Sequence, residues 1–301
     1  MLLRLSKILL PLTLVFGGGC VKKMAVNALA NTLSGDGSGA FTQDDDIQFV
    51  GDAIPFALKL MESIRDAAPE HVGMRETLCS GYTQYGMLFV AWPAEQQKWD
   101  DFDAYQQGQE RAKKFLRRAR KECLVGLDLQ YPGFAEGLES DTDAFLAQTT
   151  IDDVPLLYWT GASWLATISM SKEDPFMIGE LPVAAAIIQR ALELDEDWGK
   201  GSIHDLLIAL EPSLPMPGGL DRAREHYELA VAQSEGIRAS PYVSLATSVS
   251  ISNQDREEFV SLMEKALAVD ASKYPEEELA TMYAQEQAEF YLDHLDDLFV
   301  E

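Results

Sequence analysis

Basic residues are scarce in this chain. Of 301 residues, 24 are Lys or Arg against 49 Asp or Glu, a formal net charge of −25. A nucleic-acid-binding face needs cations to displace counterions from phosphate, so nucleic acid is excluded as a partner. Anionic headgroups should repel the folded part as well. Acidity on this scale serves solubility, or steering toward a basic surface. Histidine is rarer still: His71, His204, His226 and His294 are the full set, far apart in sequence. Cysteine numbers three, with no C-x-x-C spacing. H-E-x-x-H, G-x-S-x-G and carboxylates at ligand spacing are missing too. No alternation of apolar and polar residues marks a strand. No catalytic residue, metal site or cofactor motif can be read, and the chain is expected to be non-enzymatic.

What is present begins at the N-terminus. "MLLRLSKILLPLTLVFGGGC" places Arg4 and Lys7 before an apolar run from Ile8 to Phe16, then glycines up to Cys20. The run is about half the length a bilayer span needs, so residues 1–19 read as a secretory signal peptide. The ending resembles a bacterial lipobox, with cleavage before Cys20 and lipid on its thiol, although Gly17 stands where Leu is commonest. Losing Arg4 and Lys7, with no acid among residues 1–19, takes the mature charge from −25 to −27. Val21 is not the Asp that retains lipoproteins at the inner membrane, so a periplasmic location with outer-membrane attachment is favoured. Residues 20–43, with "LSGDGSGAF", read as a lipidated flexible tether. Cys79 and Cys123 remain as an even pair in an oxidising compartment. They read either as a disulfide closing a loop of about 43 residues, worth roughly 4 kcal/mol, or as two small buried apolar side chains.

Residues 44–301 read as a single helical domain. Asp44, Asp45 and Asp46 suit a helix start, and Ile47, Val50, Ile54, Leu58, Met61 and Ile64 follow at helical spacing. Further helices are expected at 70–91, 95–130, 132–148, 151–170, 180–195, 201–210, 219–235, 240–250, 254–270 and 276–298. The basic stretch "RAKKFLRRARK" in the long helix is expected to pair with neighbouring acids or face a partner. Three segments resemble the second helix of tetratricopeptide units: "AAIIQRALELDED", "AREHYELAVAQSEG" and "EEFVSLMEKALAVDAS". "KKFLRRARKECLVGLDLQYP" is a more divergent fourth. The expected class is all-α, an α-solenoid of degenerate tetratricopeptide-like helix pairs.

Gly199-Lys200-Gly201-Ser202 looks like a phosphate loop. The upstream Gly of that motif would fall at Leu194, Ser202 is displaced by one position, and a helix precedes where a strand is needed. The stretch is therefore expected to be a turn, with Ser202 capping the next helix. "LLYWTGASWLATI" carries Tyr158, Trp159 and Trp164 with small residues between them. These rings, with Trp198 and His204, are the candidate ligand or partner groove, core packing being the competing reading. Trp92 and Trp99 could also reach a concave surface. His204 and Asp205 are adjacent, so on a helix they face different ways.

Several blocks, among them "LYWTGASWLATISMSKEDP", "RALELDEDWGKGSIHDLLIAL" and "SPYVSLATSVSISNQDREEFVSLMEKALAVD", resemble the T-component (TatT) family of tripartite ATP-independent periplasmic (TRAP) transporters. The resemblance runs in order through nearly the whole mature chain. It implies a periplasmic lipoprotein with tetratricopeptide-like repeats that docks the transporter's solute-binding protein, and homo-oligomers including trimers. A small apolar or organic-acid ligand could be sheltered in passage. Glu286 and Glu289 stand where that family leads one to expect basic residues. The competing functions are a periplasmic hydrolase or ligand-modifying enzyme using His204, and a general envelope scaffold.

Overall fold

The computed structural model describes residues 17–34, 39–214 and 218–300, and among them no strand occurs. The chain is all-α. In order come α1 (Gly17–Ser34), α2 (Gly39–Thr42), α3 (Ile47–Ala67) and α4 (Val72–Gly86), which runs through a π turn at Met87–Ala91 into α5 (Trp92–Glu95). The long α6 (Phe102–Gln130) precedes the short α7 (Phe134–Ser140) and α8 (Thr142–Leu146). Then follow α9 (Val154–Ser169), α10 (Pro175–Gly179), α11 (Leu181–Leu194), α12 (Ser202–Leu210) and α13 (Gly219–Gln233). The chain closes with α14 (Ser240–Leu245), extended by a second π turn at Ala246–Ser250, then α15 (Arg256–Leu267), α16 (Glu278–Asp293) and α17 (Leu295–Leu298).

Aspartates start many of these helices. Asp46 accepts from the Phe49 N–H at 2.9 Å, Asp101 from Ala104 at 3.0 Å and Asp255 from Glu258 at 2.9 Å. Asp141 accepts from the Ala144 N–H at 3.2 Å. This cap begins a new helix, which is why the single helix expected over 132–148 is two. Likewise a turn ahead of Asp101 makes the helix expected from 95 begin at Phe102. Each such cap contributes about 1 kcal/mol, so part of the acidity is spent on helix ends.

The helices stack in pairs. α4 packs on α6, α9 on α11, α12 on α13, and α14 on α15, while each second helix also touches the first helix of the next pair. The first helices follow one another in space as α4, α9, α12, α14 and α16. This is the nearest-neighbour stacking that a solenoid of helix pairs requires. The four repeat-like segments fall on α6, α11, α13 and α15. In each, two residues seven apart are at most 1% exposed: Leu116 and Cys123, Ala184 and Ala191, Ala223 and Ala230, Phe259 and Ala266. Small residues at the second position let the neighbouring helices approach closely. The stretch 175–194 is apolar enough, by length and composition, to cross a membrane. It breaks between α10 and α11, and α11 buries Ile187 and Ile188 against the core.

α16 returns to the first half. The Trp92 ring lies 5.2 Å from Phe290 and 6.0 Å from Tyr283, and Trp99 stacks on His294 at 4.8 Å. Glu286 accepts from Trp92 Nε1 and Gln96 Nε2, both at 3.0 Å. Trp92 and Trp99 thus clasp α16, and Glu286, unexpected by family resemblance, is the acceptor at the centre of that clasp. Hydrogen bonds to a charged group contribute about 1.5–3 kcal/mol. Glu286→Ala is expected to lower the unfolding free energy by about 2 kcal/mol, read from urea unfolding, with Glu289→Ala on the exposed face nearly neutral.

Residues 20–43 are not simply a tether. Residues 17–34 form α1, which packs on α3 and α4. Ala30 is 0% exposed, with Val26 and Leu33 against the same core, and the Asn31 amide meets His71 Nε2 at 2.7 Å. Val26, Ala30 and Leu33 lie at helical spacing, a pattern masked by the Gly and Ser that follow. Most of the signal peptide, residues 1–16, lies outside the described residues, as does the Cys20 side chain.

Candidate functional site

Gly199, Lys200 and Gly201 all take left-handed backbone, with φ of 61°, 52° and 88°. A Cβ on Gly201 would stand 3.0 Å from the Ala230 carbonyl oxygen, so glycine allows both the turn and the approach of α13. Lys200 Nζ pairs with Glu276 at 3.2 Å. Ser202 does not cap α12; it is the first helical residue, and Gly201 holds the cap position. The Ser202 hydroxyl donates to the Gly199 carbonyl at 2.7 Å and accepts from Arg238. The stretch is a turn between two repeats, tied to the segment before α16.

Around this turn the structure gathers three of the five candidate groove residues. Tyr158 on α9 lies 4.9 Å from Trp159 and 4.6 Å from Trp198, centroid to centroid. Beside them is a polar cluster. Asp205 accepts from the hydroxyls of Ser240 and Ser244 on α14. Arg238 forks onto Glu277 at 3.0 and 2.8 Å. Asp205 keeps some accessible surface but sits deep among packed atoms; desolvation pushes its pKa up, against the lowering pull of the two serines and Arg238. The Tyr158 phenol is likewise pushed up, by desolvation first and then by the Asp205 charge. Lysines mark a second place, a shallow depression near Tyr242 and Tyr274, but its Lys273 is already paired with Asp270 at 3.4 Å.

Trp164 and His204 lie elsewhere. Trp164 is 7% exposed, donates to Glu180 at 2.6 Å, and carries Arg120 over its ring at 4.4 Å. Arg120 completes the set with Glu180 at 2.8 Å. Part of the basic stretch of α6 thus pairs with acids, as expected. His204 is 1% exposed, and its Nδ1 faces His226 Nδ1 at 2.9 Å. Asp205 points to the serines and His204 to His226, so the adjacent pair does not form a dyad. Among the described residues no three metal-ligating side chains converge. Cys79 and Cys123 are joined in a disulfide, with Cα atoms 5.4 Å apart.

Two histidines sharing one N–H···N contact tolerate one mobile proton at most. Burial lowers the pKa of His204, against Glu196, and burial then His204 itself lowers that of His226, against Glu211. A lowered histidine pKa means the unfolded chain binds more protons below about pH 6.5, so this contribution to stability is present above that pH and lost on acidification. The unfolding midpoint should therefore fall between pH 7.5 and 5.5. His226→Gln should flatten that slope; an unchanged slope in the variant would contradict the assignment.

These features define an all-α protein of stacked helix pairs with an aromatic and polar cluster beside the turn between two of them. A family model described as TRAP transporter T-component matches residues 43–299, and the chain belongs to that family. An uncharacterised protein of Treponema pallidum (strain Nichols) is similar to it, with 25% identity over 96% of this chain and 95% of the relative. The family is one of transporter components, not of enzymes.

Proposed function

We propose that this chain is a periplasmic, non-enzymatic component of a TRAP-type transport system, held by lipid on Cys20 at the outer membrane. In this reading it docks the system's solute-binding protein, works as a homo-oligomer such as a trimer, and shelters a small ligand in passage. The observation that carries the reading is the family match over residues 43–299. The glycine-flanked cysteine supports the anchor, and the stacked helix pairs support a docking role, because such stacks present extended surfaces. Binding rests on shape and charge rather than on bond chemistry.

Affinity purification of the full chain from the envelope tests this reading. A TRAP-type solute-binding protein recovered at fixed stoichiometry is the expected result, and His204→Ala should recover it equally well. Turnover of any recovered solute that vanishes in His204→Ala would instead support the enzyme reading. Absence of such a partner with added solute would leave the scaffold and enzyme readings.

A further inference from the structure

An apolar pocket opens where α1, α2, α3, α4 and α16 converge, and no member of the Tyr158–Trp159–Trp198 group lines it. Its volume is about 160 Å³, with Leu33, Phe41, Met61, Phe89 and Leu279 in its wall. Among the described residues, not one Asp, Glu, Lys, Arg or His lines it, in a chain that is 24% charged. Of its four polar side chains, Thr42, Thr77, Ser80 and Gln84, two are engaged within α4. The Thr77 hydroxyl donates to the Gly73 carbonyl at 2.9 Å and that of Ser80 to Thr77 at 3.1 Å, both within α4. The Gln84 side-chain amide, also in the wall, has no hydrogen-bond partner among the described residues.

These features select a ligand chemistry. An aliphatic cavity of about 150 Å³ stays dry and accepts a molecule the size of benzene. A carboxylate placed here would meet no cation among the described lining residues, and an unpaired buried charge is far costlier than an unpaired amide. We propose that this pocket binds a small uncharged solute with an apolar body of about six carbons and one hydrogen-bonding group, which Gln84 meets. The proposal deepens the ligand-sheltering part of the function above and rests on it only for its biological meaning. It replaces the aromatic cluster as the ligand site and an organic acid as the ligand. The sequence-read tether takes part directly: Leu33 of α1 and Phe41 of α2 close one wall.

Calorimetric titration of 1-hexanol and of hexanoate tests the proposal, using the full chain in lipid nanodiscs and empty nanodiscs as the reference. Saturable hexanol binding is expected, with hexanoate at least about tenfold weaker. Ala57→Phe, which fills the pocket from α3, should abolish it; Trp198→Ala should not. Ser80→Leu, filling from α4, is a second blocking variant in case the first misfolds, with helix content read by circular dichroism. Hexanoate binding as tightly as hexanol would overturn the proposal. So would absence of saturable hexanol binding, its retention in both folded blocking variants, or its loss in a folded Trp198→Ala. Intact hexanol binding in a chain that fails to recover a solute-binding protein would sink the docking reading alone.

Discussion

Replacing Cys79 and Cys123 together by Ser lowers the unfolding free energy by about 4 kcal/mol, the chain-entropy value for a loop of this length. The bond ties α4 to α6 across 44 residues of sequence, and both cysteines are 0% exposed. Loss of the cross-link releases the unfolded chain, and the serines of the variant also put two hydroxyls into an apolar contact. The measurement is urea unfolding of the oxidised protein, the reduced protein and the double variant. The reduced protein and the variant should both unfold at a lower midpoint, the variant lowest because only it buries hydroxyls. A variant that unfolds at the midpoint of the oxidised protein would show that the bond does not constrain the chain in solution.

Glu122→Ala is expected to cost about 3–5 kcal/mol, the range for removing one partner from a buried ion pair. Glu122, beside Cys123 on α6, accepts from Arg65 of α3 and from Arg75 of α4, the latter at 2.6 Å. The side chains are 9%, 17% and 14% exposed. Removing the carboxylate leaves the Arg75 guanidinium largely out of water with only the Pro69 carbonyl at 3.1 Å, while Arg65 keeps Asp66 at 2.7 Å. Glu122→Gln keeps an acceptor and should cost less. The effect should not simply add to that of the cysteine variant, since neighbours in one contact network couple. Measured by urea unfolding, a loss below about 0.5 kcal/mol, the range of ordinary surface substitutions, would mean that both arginines reach water or other acids instead.

Local pattern made most of the helices legible. The stripe from Ile47 to Ile64 gave α3, and the four repeat-like segments fell on α6, α11, α13 and α15. That 199–201 is a turn followed from glycine spacing and the absence of an upstream strand; its left-handed backbone did not. What stayed hidden was convergence. Trp92 and Glu286 are 194 residues apart, and nothing local tells a tryptophan at a helix break that its N–H will meet a carboxylate on α16. Trp164 and Trp159 are five residues apart on one helix, yet only Trp159 joins the cluster at Tyr158. Arg120 and Glu180, from other elements, draw Trp164 away. His204 carried no sign of His226, because their contact depends on how α12 meets α13. The apolar pocket was invisible for a further reason. One of its walls comes from a segment whose glycines and serines read as flexible, and its signal is the lack of charge among the described lining residues in a place only the fold defines.

The central claim is that this chain docks the solute-binding protein of a TRAP system. Sedimentation velocity on the purified full chain in nanodiscs, mixed with the solute-binding protein of the same transport system, tests it most directly. The account predicts a faster-sedimenting complex of fixed stoichiometry that weakens as salt is raised, as expected for an acidic surface meeting a complementary one. Two components that sediment independently, at low salt and with solute present, would contradict it.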